Sequence, residues 1–363
     1  MKDNKKIHLK EKIQFRHRSG WGYAISFLEE LTTEDGVLFD SFLEKSFGWS
    51  YLLEDSYSYK ESWVGVFHVP DDIPRWFDIK QTPREIFKNE YFIESLKNCK
   101  GLYCLSNYEK NILKKYTDLP INVVFHPTET PDIKFSFDKF MKNEDKGIIQ
   151  LGIFCRKISS IFLLPVTKIK KGALGIDKRN YFILALEIKE FNLKINKNEV
   201  KMFDFLNNDE YDEILSKNII FVDLYEASAN NAVIECIVRN TPILINPHPA
   251  VIEYLGPDYP FYFNSLEEAA QKVENFDLIK KTYEYLVNLK IKEKLTDTSF
   301  LNDIINSDIY KSLEIENFNK SKYLKRLLIE YASYFKYRLN KFILFISPKL
   351  HYKIKQMTID KIN

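Results

Sequence analysis

Short apolar runs alternate with helically spaced apolar positions along the first 130 residues. Four runs are rich in β-branched and aromatic residues, which is typical of buried strands: residues 12–15, 63–70, 101–106 and 121–127. Between them, apolar residues recur near the 3.6-residue period and predict helices over 23–31, 83–99 and 107–116. This alternation predicts βα units around a mostly parallel sheet.

A second region with the same alternation begins at Gly147. The pattern predicts strands over 147–154, 218–227 and 241–246, helices over 231–240 and 249–255, and mixed strand and helix units over 197–215 and 261–273. Ser265 precedes Glu268 by three residues, which is a helix-capping pattern. The chain is predicted to be helical from there to about residue 347.

Residues 128–146 between the two regions are charged and turn-rich, as is typical of a domain boundary. We therefore predict one domain over residues 1–130 and a linker over 131–146. A second domain is predicted over 147–300, followed by a helical, basic extension over 301–363.

Composition and charge narrow the function classes. The chain has 363 residues, 45% of them hydrophobic, and a net charge of +2, which excludes global disorder and argues against a surface built for nucleic acid. Residues 320–355 alone carry a net charge of +9 and have helically spaced apolar residues. A basic amphipathic helix of this kind suits an anionic membrane surface, although packing on the body of the protein is an open alternative. Without a groove-reading motif, nucleic acid is not an expected partner.

The sequence carries few signs of targeting or metal binding. The first residues lack an apolar segment and no run reaches about 18 apolar residues, so neither a secretory signal nor a spanning helix is expected. The expected location is cytoplasmic, with a peripheral position on the inner face of the membrane as a further possibility. The four cysteines lack metal-ligand spacing and are predicted to be free and buried. No metal site is expected at the adjacent Asp71 and Asp72, because neighbouring carboxylates in an extended loop point apart.

The most informative segment is DLYEASANNAVIECIVRNTPILINPHPAVIEYL, residues 223–255. A predicted strand ends there in a loop of small residues, and a helix begins at about Asn231. Free N–H groups and the helix dipole at such a start form an anion site. Glu235 lies one turn into the helix, where a carboxylate can accept hydrogen bonds from a ribose diol. An ordinary βα loop with a solvent-facing Glu235 is the alternative that these residues leave open.

This segment resembles the signature of the large retaining glycosyltransferase family 4. Members have the α/β GT-B fold, in which two Rossmann-like domains face a cleft. Glu226 and Glu235 match the family's two acids, and residues 240–255 match the Thr-Pro strand and the following loop without a gap. Eight residues separate the two acids where the family usually has seven, and Pro249-Ala250 replaces a Gly-Gly pair.

The resemblance implies roles for individual residues. Glu235 would hold the ribose of a nucleoside diphosphate-sugar, and Glu226 would lie near the hydroxyls of the donor sugar. The residues implied to lie near the donor sugar or phosphate are Ser228, Ala229, Asn230 and Asn231. Retention of the anomeric configuration is implied by the resemblance alone. The nucleotide-sugar is a co-substrate, and no cofactor is implied.

Two further segments resemble the same family, and their order along the chain also matches. Residues 148–165 resemble the strand that opens the C-terminal domain, where an Arg and a Lys past a Gly neutralise the donor diphosphate. Ile153 stands in the place of that Arg, so the adjacent Arg156 and Lys157 are predicted to substitute for it. Two solvated cations at a helix start are the alternative. Residues 101–129 resemble the end of the N-terminal domain.

The acceptor side carries fewer signals. His68 lies in a loop at the carboxyl end of a predicted strand, where ligands of open α/β sheets gather. We predict that it orients the acceptor hydroxyl or acts near it; a His that bonds the loop backbone is the alternative. Ser19 and Gly20, after the first predicted strand, would let an acceptor or a phosphate approach the backbone.

Together these features predict transfer of a sugar from a nucleoside diphosphate-sugar to a hydroxyl of a glycan or lipid-linked glycan, as in surface polysaccharide synthesis. Two other functions are open. One is a sugar-nucleotide epimerase, which would change the free donor without any acceptor. The other is a non-catalytic glycan-assembly protein that kept the fold.

Overall fold

A computed structural model describes residues 5–10, 20–49, 57–176, 181–204 and 206–314. Two five-stranded sheets organise these residues, one in each half of the chain. All neighbouring strands are parallel. Most strand residues are buried, as expected when helices cover both faces of a parallel sheet.

The first sheet has its strands in chain order. They are β1 (Ile7–Leu9), β2 (Val37–Asp40), β3 (Trp63–Val66), β4 (Cys99–Cys104) and β5 (Ile121–Val123). The helices of this half are α1 (Trp21–Leu28), α2 (Leu43–Phe47), α3 (Pro83–Ile86), α4 (Glu90–Leu96) and α5 (Asn107–Leu113).

The second half begins with α6 (Phe137–Lys142) and contains the second sheet. Its strands are β6 (Gly147–Leu151), β7 (Lys170–Leu174), β8 (Val200–Phe203), β9 (Ile219–Val222) and β10 (Ile243–Ile245). Its other helices are α7 (Ser160–Leu163), α8 (Tyr181–Glu190), α9 (Asn208–Lys217), α10 (Asn231–Arg239), α11 (Pro249–Leu255), α12 (Leu266–Val273) and α13 (Phe276–Val287).

The order of this second sheet, β10-β9-β6-β7-β8, creates a crevice. After β6 the chain continues to the neighbouring strand β7, and after β9 it continues to β10, which lies in the opposite direction across the sheet. Strands β6 and β9 are neighbours, so the space at their carboxyl ends is the topological switch point where open α/β sheets bind ligands.

The last described helices, α14 (Asp297–Asn306) and α15 (Asp308–Lys311), return to the first half. Phe300 and Ile304 are buried in the core that contains β1 and β2. Ser307 Oγ lies 2.9 Å from the Tyr103 hydroxyl on β4. The predicted extension therefore begins as a helical pair that packs on the first half.

Most predicted elements after residue 20 are confirmed, with four differences. The strand predicted at the start of 261–273 is only an isolated bridge between Tyr262 and Ile245. The helix predicted over 83–99 is two helices, because Asn89 caps α4 and interrupts the run. Four elements, β2, α2, β7 and α8, were not predicted; Lys170 and Lys171 open β7 and hide its strand character. The predicted linker contains α6, whose Phe140 is buried in the second core. All four cysteines are free and buried, as predicted.

Several predictions concern residues outside the described ranges. The strand over 12–15, Ser19 and the basic amphipathic segment 320–355 all lie there. Among the helices that the structure describes, none has the length and hydropathy needed to cross a membrane.

Candidate functional site

The loops that follow β6 and β9 are tied together at the crevice. Lys157 N donates to Asp223 O at 2.7 Å, and Tyr225 N donates to Cys155 O at 2.9 Å. Arg156 forms an isolated β-bridge with the second loop between these contacts. These backbone bonds hold the two loops at a fixed separation, so side chains from both can act on one ligand.

Arg156 supplies a buried cation to the crevice. Its guanidinium lies over Gly152, where any side chain would collide with it, and Gly152 has a φ of 69° that glycine tolerates. Nη2 donates to Asn230 Oδ1 at 3.3 Å, while the buried Nε has no hydrogen-bond partner. Burial lowers the pKa of the guanidinium, and attraction from Tyr211 and Glu235 offsets part of this effect.

No carboxylate among the described residues lies within ion-pair distance of the Arg156 guanidinium. An arginine stays protonated in a protein, and a buried charge without a partner is costly. A bound anion would compensate this charge with charge-assisted hydrogen bonds. The geometry therefore favours a phosphate or a similar anion beside Arg156.

Helix α10 begins next to this cation. Asn230 caps the helix, because its Oδ1 accepts a hydrogen bond from Val233 N at 3.3 Å as well as from Arg156 Nη2. Residues 232–239 are all buried, so the helix start is fixed by the core behind it. The positive end of the α10 dipole and the Arg156 guanidinium thus lie at the same place.

The small-residue loop before α10 is largely occupied by internal contacts. Ser228 Oγ donates to the backbone oxygen of His68 in the first half of the chain. Ala229 packs against the cores of both halves. Of the predicted donor-binding residues in this loop, Asn231 is the one with an exposed side chain.

Lys157 is half-exposed and paired. Its Nζ lies 3.0 Å from Asp223 Oδ1 and 5.7 Å from the centre of the Tyr225 ring. Ser160 Oγ donates to the other oxygen of Asp223 at 2.7 Å. Lys157 also lines a cavity of about 410 Å³ together with Asp223, Asn246, Pro247, Phe263, Asn264, Ser265 and Leu266. Lys157 therefore contributes less uncompensated charge to the crevice than Arg156 does.

Glu187 on α8 accepts hydrogen bonds from backbone amides next to Arg156 and Lys157. Its oxygens accept from Ile158 N at 3.1 Å and from Ser159 N at 2.7 Å. Burial raises the pKa of this carboxyl, while the hydrogen bonds from Ser159 and Ile158 act in the opposite direction. The two amides just before α7 are thus used by the protein itself, so Arg156 and the start of α10 are the better candidates for binding an anion.

Glu226 connects the two halves of the chain. Its Oε1 lies 2.6 Å from His248 Nε2 and accepts from Ala227 N at 3.0 Å, and its Oε2 accepts from the Tyr108 hydroxyl at 3.1 Å. Tyr108 lies on α5 of the first half. The predicted acid is therefore present at the crevice, held by three donors.

Glu235 is buried on α10 and accepts a hydrogen bond from the Tyr211 hydroxyl of α9. Burial and the nearby Glu235 raise the pKa of Tyr211 well above its ordinary value, so the phenol stays protonated as a donor. The solvent-facing alternative for Glu235 is wrong, because only 2% of this residue is exposed. Tyr211 Oη occupies one of the positions at which a ribose hydroxyl would donate.

His68 lies under aromatic side chains, with Trp21 at 4.4 Å and Phe42 at 4.6 Å between ring centroids. Glu44 accepts from His68 N at 2.5 Å and lies 3.4 Å from its Nδ1. The buried His68 Nε2 and the buried Trp21 Nε1 have no hydrogen-bond partner. Gly20, the other described acceptor-side prediction, is the residue that precedes α1 and lies next to Trp21.

The loop of residues 69–77 covers the crevice from the first half. Phe77 packs on Phe154 at 5.2 Å and Trp76 packs on Tyr225 at 5.6 Å between ring centroids. Phe154 follows β6 and Tyr225 follows β9, so this loop, which we call the covering loop, spans the switch point. The covering loop therefore brings aromatic side chains of the first half against both loops of the crevice.

A second interdomain contact forms at the start of α5. Glu253 of α11 accepts from Asn107 N and Tyr108 N, each at 2.7 Å, and thereby caps α5 from the other half. The Tyr254 hydroxyl donates to Leu105 O at 2.7 Å beside it. The two halves are therefore in direct contact on this side of the crevice.

Glu109 on α5 is a buried acid with no ordinary partner. The residue has no exposed surface, and neither carboxyl oxygen has a hydrogen-bond partner in the part of the chain that the structure describes. Burial, followed by repulsion from Glu44, Asp71 and Glu226, raises the pKa of Glu109 well above its ordinary value. Folding therefore favours the protonated form of this group.

The raised pKa of Glu109 predicts that the folded protein loses stability as the pH rises, and that Glu109→Gln removes this loss. The pKa of Glu109 is higher in the folded state than in the unfolded state. The stability that the protonated carboxyl contributes is therefore fully present at acid pH, and it is lost as the pH rises through the folded-state pKa. We expect Glu109→Gln to raise the melting temperature at pH 8, with a smaller gain at pH 5. Thermal unfolding at both pH values measures this, with the exposed Glu284→Gln as the control. Equal shifts at both pH values would contradict the assignment.

Sequence reasoning missed Tyr108, Tyr211 and His248, which contact predicted site residues. It also missed Glu187, which accepts from the two amides that follow Lys157. Tyr108 and Glu226 are 118 positions apart, and no local pattern reports such a pairing. His248 had a usable signal, because it replaces an ordinary cap residue directly before Pro249 at the start of α11.

The described structure is similar to solved GT-B glycosyltransferases. TarM from S. aureus, solved as a mutant with Fondaparinux, alpha-GlcNAc-glycerol and UDP, matches at a TM-score of 0.53 and 15% identity over 80% of this chain and 59% of TarM. HepE from Anabaena with UDP-glucose matches at 0.51 and 12% identity, over 69% of this chain and 72% of HepE. Trehalose-6-phosphate synthase OtsA matches at 0.53 and 12% identity, over 84% of this chain and 79% of OtsA.

These matches show the fold. The predicted fold class is confirmed: the chain is an α/β protein with two parallel sheets and the GT-B fold. The chain spans 59% of the length of TarM. No protein-family model and no curated protein matches the sequence.

Proposed function

We propose that this chain is a glycosyltransferase that moves a sugar from a nucleoside diphosphate-sugar to a hydroxyl of a glycan or glycolipid acceptor. One observation carries the proposal: a buried guanidinium that has no carboxylate partner among the described residues lies beside a helix start at the switch point of the second sheet. A diphosphate satisfies such a position. The likeness to TarM with UDP and to HepE with UDP-glucose supports a uridine nucleotide as the first donor to test.

The donor would be held by residues from both loops of the crevice. Arg156 and the start of α10 would bind the diphosphate, with Lys157 joining them if its pair with Asp223 opens. Glu235 would accept from the ribose once Tyr211 Oη gives up its position. Glu226 would accept from a donor-sugar hydroxyl.

The transfer would break the bond between the anomeric carbon and the phosphate oxygen and form a bond from that carbon to the acceptor oxygen. The acceptor hydroxyl gives its proton to solvent, and the nucleoside diphosphate leaves with added negative charge, which Arg156 stabilises. His68 Nε2 and Trp21 Nε1 are buried polar atoms of the first half without a hydrogen-bond partner among the described residues, which supports acceptor binding near them and near Gly20. Ser19, which lies outside the described residues, belongs to the same acceptor-side prediction. Retention follows from the resemblance to family 4.

The proposal also includes the kind of acceptor and the location of the protein in the cell. A glycan of surface polysaccharide synthesis is the proposed acceptor. A peripheral position on an anionic cytoplasmic membrane face, through residues 320–355, would bring the enzyme to a lipid-linked acceptor.

A transfer assay tests this function. The wild-type chain is incubated with UDP-glucose, UDP-N-acetylglucosamine or GDP-mannose, with and without a panel of oligosaccharide acceptors. We expect nucleoside diphosphate release that depends on acceptor and a product carrying the sugar. Glu235→Gln is expected to reduce kcat/KM by about 10- to 100-fold, because it removes a charged hydrogen bond to the ribose.

The same assay separates the alternatives. A donor that changes its sugar without any acceptor would indicate an epimerase and contradict the proposal. A protein that neither releases diphosphate nor forms product with any pair would also contradict it. Full activity of Glu235→Gln would place the ribose elsewhere.

A further inference from the structure

His248 caps helix α11 and also contacts Glu226, the acid at the crevice. It precedes α11, and its Nδ1 accepts from Ala250 N at 3.2 Å. Its Nε2 lies 2.6 Å from Glu226 Oε1, and both side chains are nine-tenths buried. One imidazole ring thus makes two different hydrogen bonds with its two nitrogens.

The cap fixes which nitrogen carries the proton. Nδ1 accepts a backbone N–H, so it has a free lone pair and no hydrogen. In the neutral ring the proton is therefore on Nε2, which donates to Glu226. The hydrogen-bond network assigns this tautomer, and the edge-on Tyr108 ring, 4.9 Å away at 81°, limits rotation of the imidazole.

The donors around Glu226 leave one acceptor position. A carboxylate has about four lone-pair sites, two on each oxygen. His248 Nε2 and Ala227 N use the two sites of Oε1, and the Tyr108 hydroxyl uses one site of Oε2. The remaining site of Oε2 takes no hydrogen bond from any described residue, and donors from two different elements fix the plane of the carboxylate.

We propose that His248 is a positioning residue that orients Glu226 toward a hydroxyl of the donor sugar. This role rests on the proposed function and adds to it a residue outside the set implied by the resemblance. Its donation to Oε1 holds the carboxylate so that Oε2 presents its free site to the sugar. The nucleoside diphosphate part of the donor binds at Arg156 and does not depend on this contact.

Two substitutions separate the two bonds of His248. His248→Asn keeps an oxygen that can cap α11 at Ala250 N, because Asn is a favoured cap residue, but its side chain is too short to reach Glu226. His248→Gln loses the cap geometry and carries an amide N–H that can extend to Glu226. We expect His248→Asn to lower kcat for UDP-glucose about tenfold or more with the Kd for UDP changed less than twofold. His248→Gln should keep kcat within about threefold of the wild type.

The measurements are Kd for UDP by calorimetry, kcat and KM for UDP-glucose transfer, and the melting temperature. If His248→Asn keeps full kcat while His248→Gln loses it, the residue is only a helix cap and the proposal is overturned. Equal losses in both variants, or a loss of UDP affinity in His248→Asn, would also overturn it. A wild-type chain that binds no UDP and transfers no sugar would instead refute the proposed function, and that result is seen before any variant is made.

Discussion

Arg156→Gln is expected to weaken UDP binding by about 10- to 100-fold. A hydrogen bond to a charged group contributes about 1.5–3 kcal/mol, and about 1.4 kcal/mol corresponds to a factor of ten in affinity. The guanidinium is buried, donates to Asn230 Oδ1 and has no carboxylate partner among the described residues, so its charge is not paired within them. Titration calorimetry of both proteins with UDP measures the difference.

The thermal stability of Arg156→Gln should be unchanged or higher, although its affinity for UDP is lower. Removing an uncompensated buried charge relieves a desolvation penalty, so Arg156→Gln should unfold at the same temperature as the wild type or a higher one. Arg84→Gln is the matched control, because Arg84 is partly exposed and lies 3.6 Å from Asp72 in the first half. Unchanged UDP affinity in Arg156→Gln would show that the anion does not bind at this residue.

The largest expected effect on stability comes from Asp212→Ala. Arg239 Nε and Nη2 donate to Asp212 Oδ1 at 3.0 and 2.8 Å, and the two side chains are 1% and 3% exposed. Breaking a buried ion pair from one side costs about 3–5 kcal/mol, because the other charge stays buried without compensation. Denaturant unfolding should show a loss of that size, a large fraction of a typical folding free energy of about 5–15 kcal/mol.

Glu213→Ala on the same helix is the control for this loss. Glu213 pairs with Lys217 at 2.9 Å on the surface, where such pairs contribute about 0.3–0.5 kcal/mol. The Asp212–Arg239 pair joins α9 to α10 and thereby holds Tyr211 beside Glu235. A small loss in Asp212→Ala, similar to that in Glu213→Ala, would contradict this role.

The fold was largely predictable because its signals are local. Apolar runs and helical spacing are patterns within single elements, and α10 and α11 begin where these patterns place them. Elements with mixed character were missed: β7 opens with two lysines, and its buried part is only Gly172 to Leu174. Local periodicity cannot identify a strand whose burial depends on neighbours β6 and β8.

The candidate site was predictable only in part, because its remaining contacts join distant segments. The loop before α10, Arg156 and Glu226 were found from residue types and resemblance. The covering loop and Tyr108 enter the crevice from the other half of the chain. The sequence identifies Tyr211 only as a residue of a predicted helix. Its hydroxyl reaches Glu235 because α9 packs beside α10 in the folded chain.

Hydrogen exchange with and without UDP tests most directly whether the crevice between β6 and β9 holds the nucleotide. We predict that saturating UDP protects amides in residues 152–157 and 224–235 of the wild-type protein, and that the protection is lost in Arg156→Gln at the same UDP concentration. Protection confined to other segments, or none in the wild type at millimolar UDP, would contradict the account.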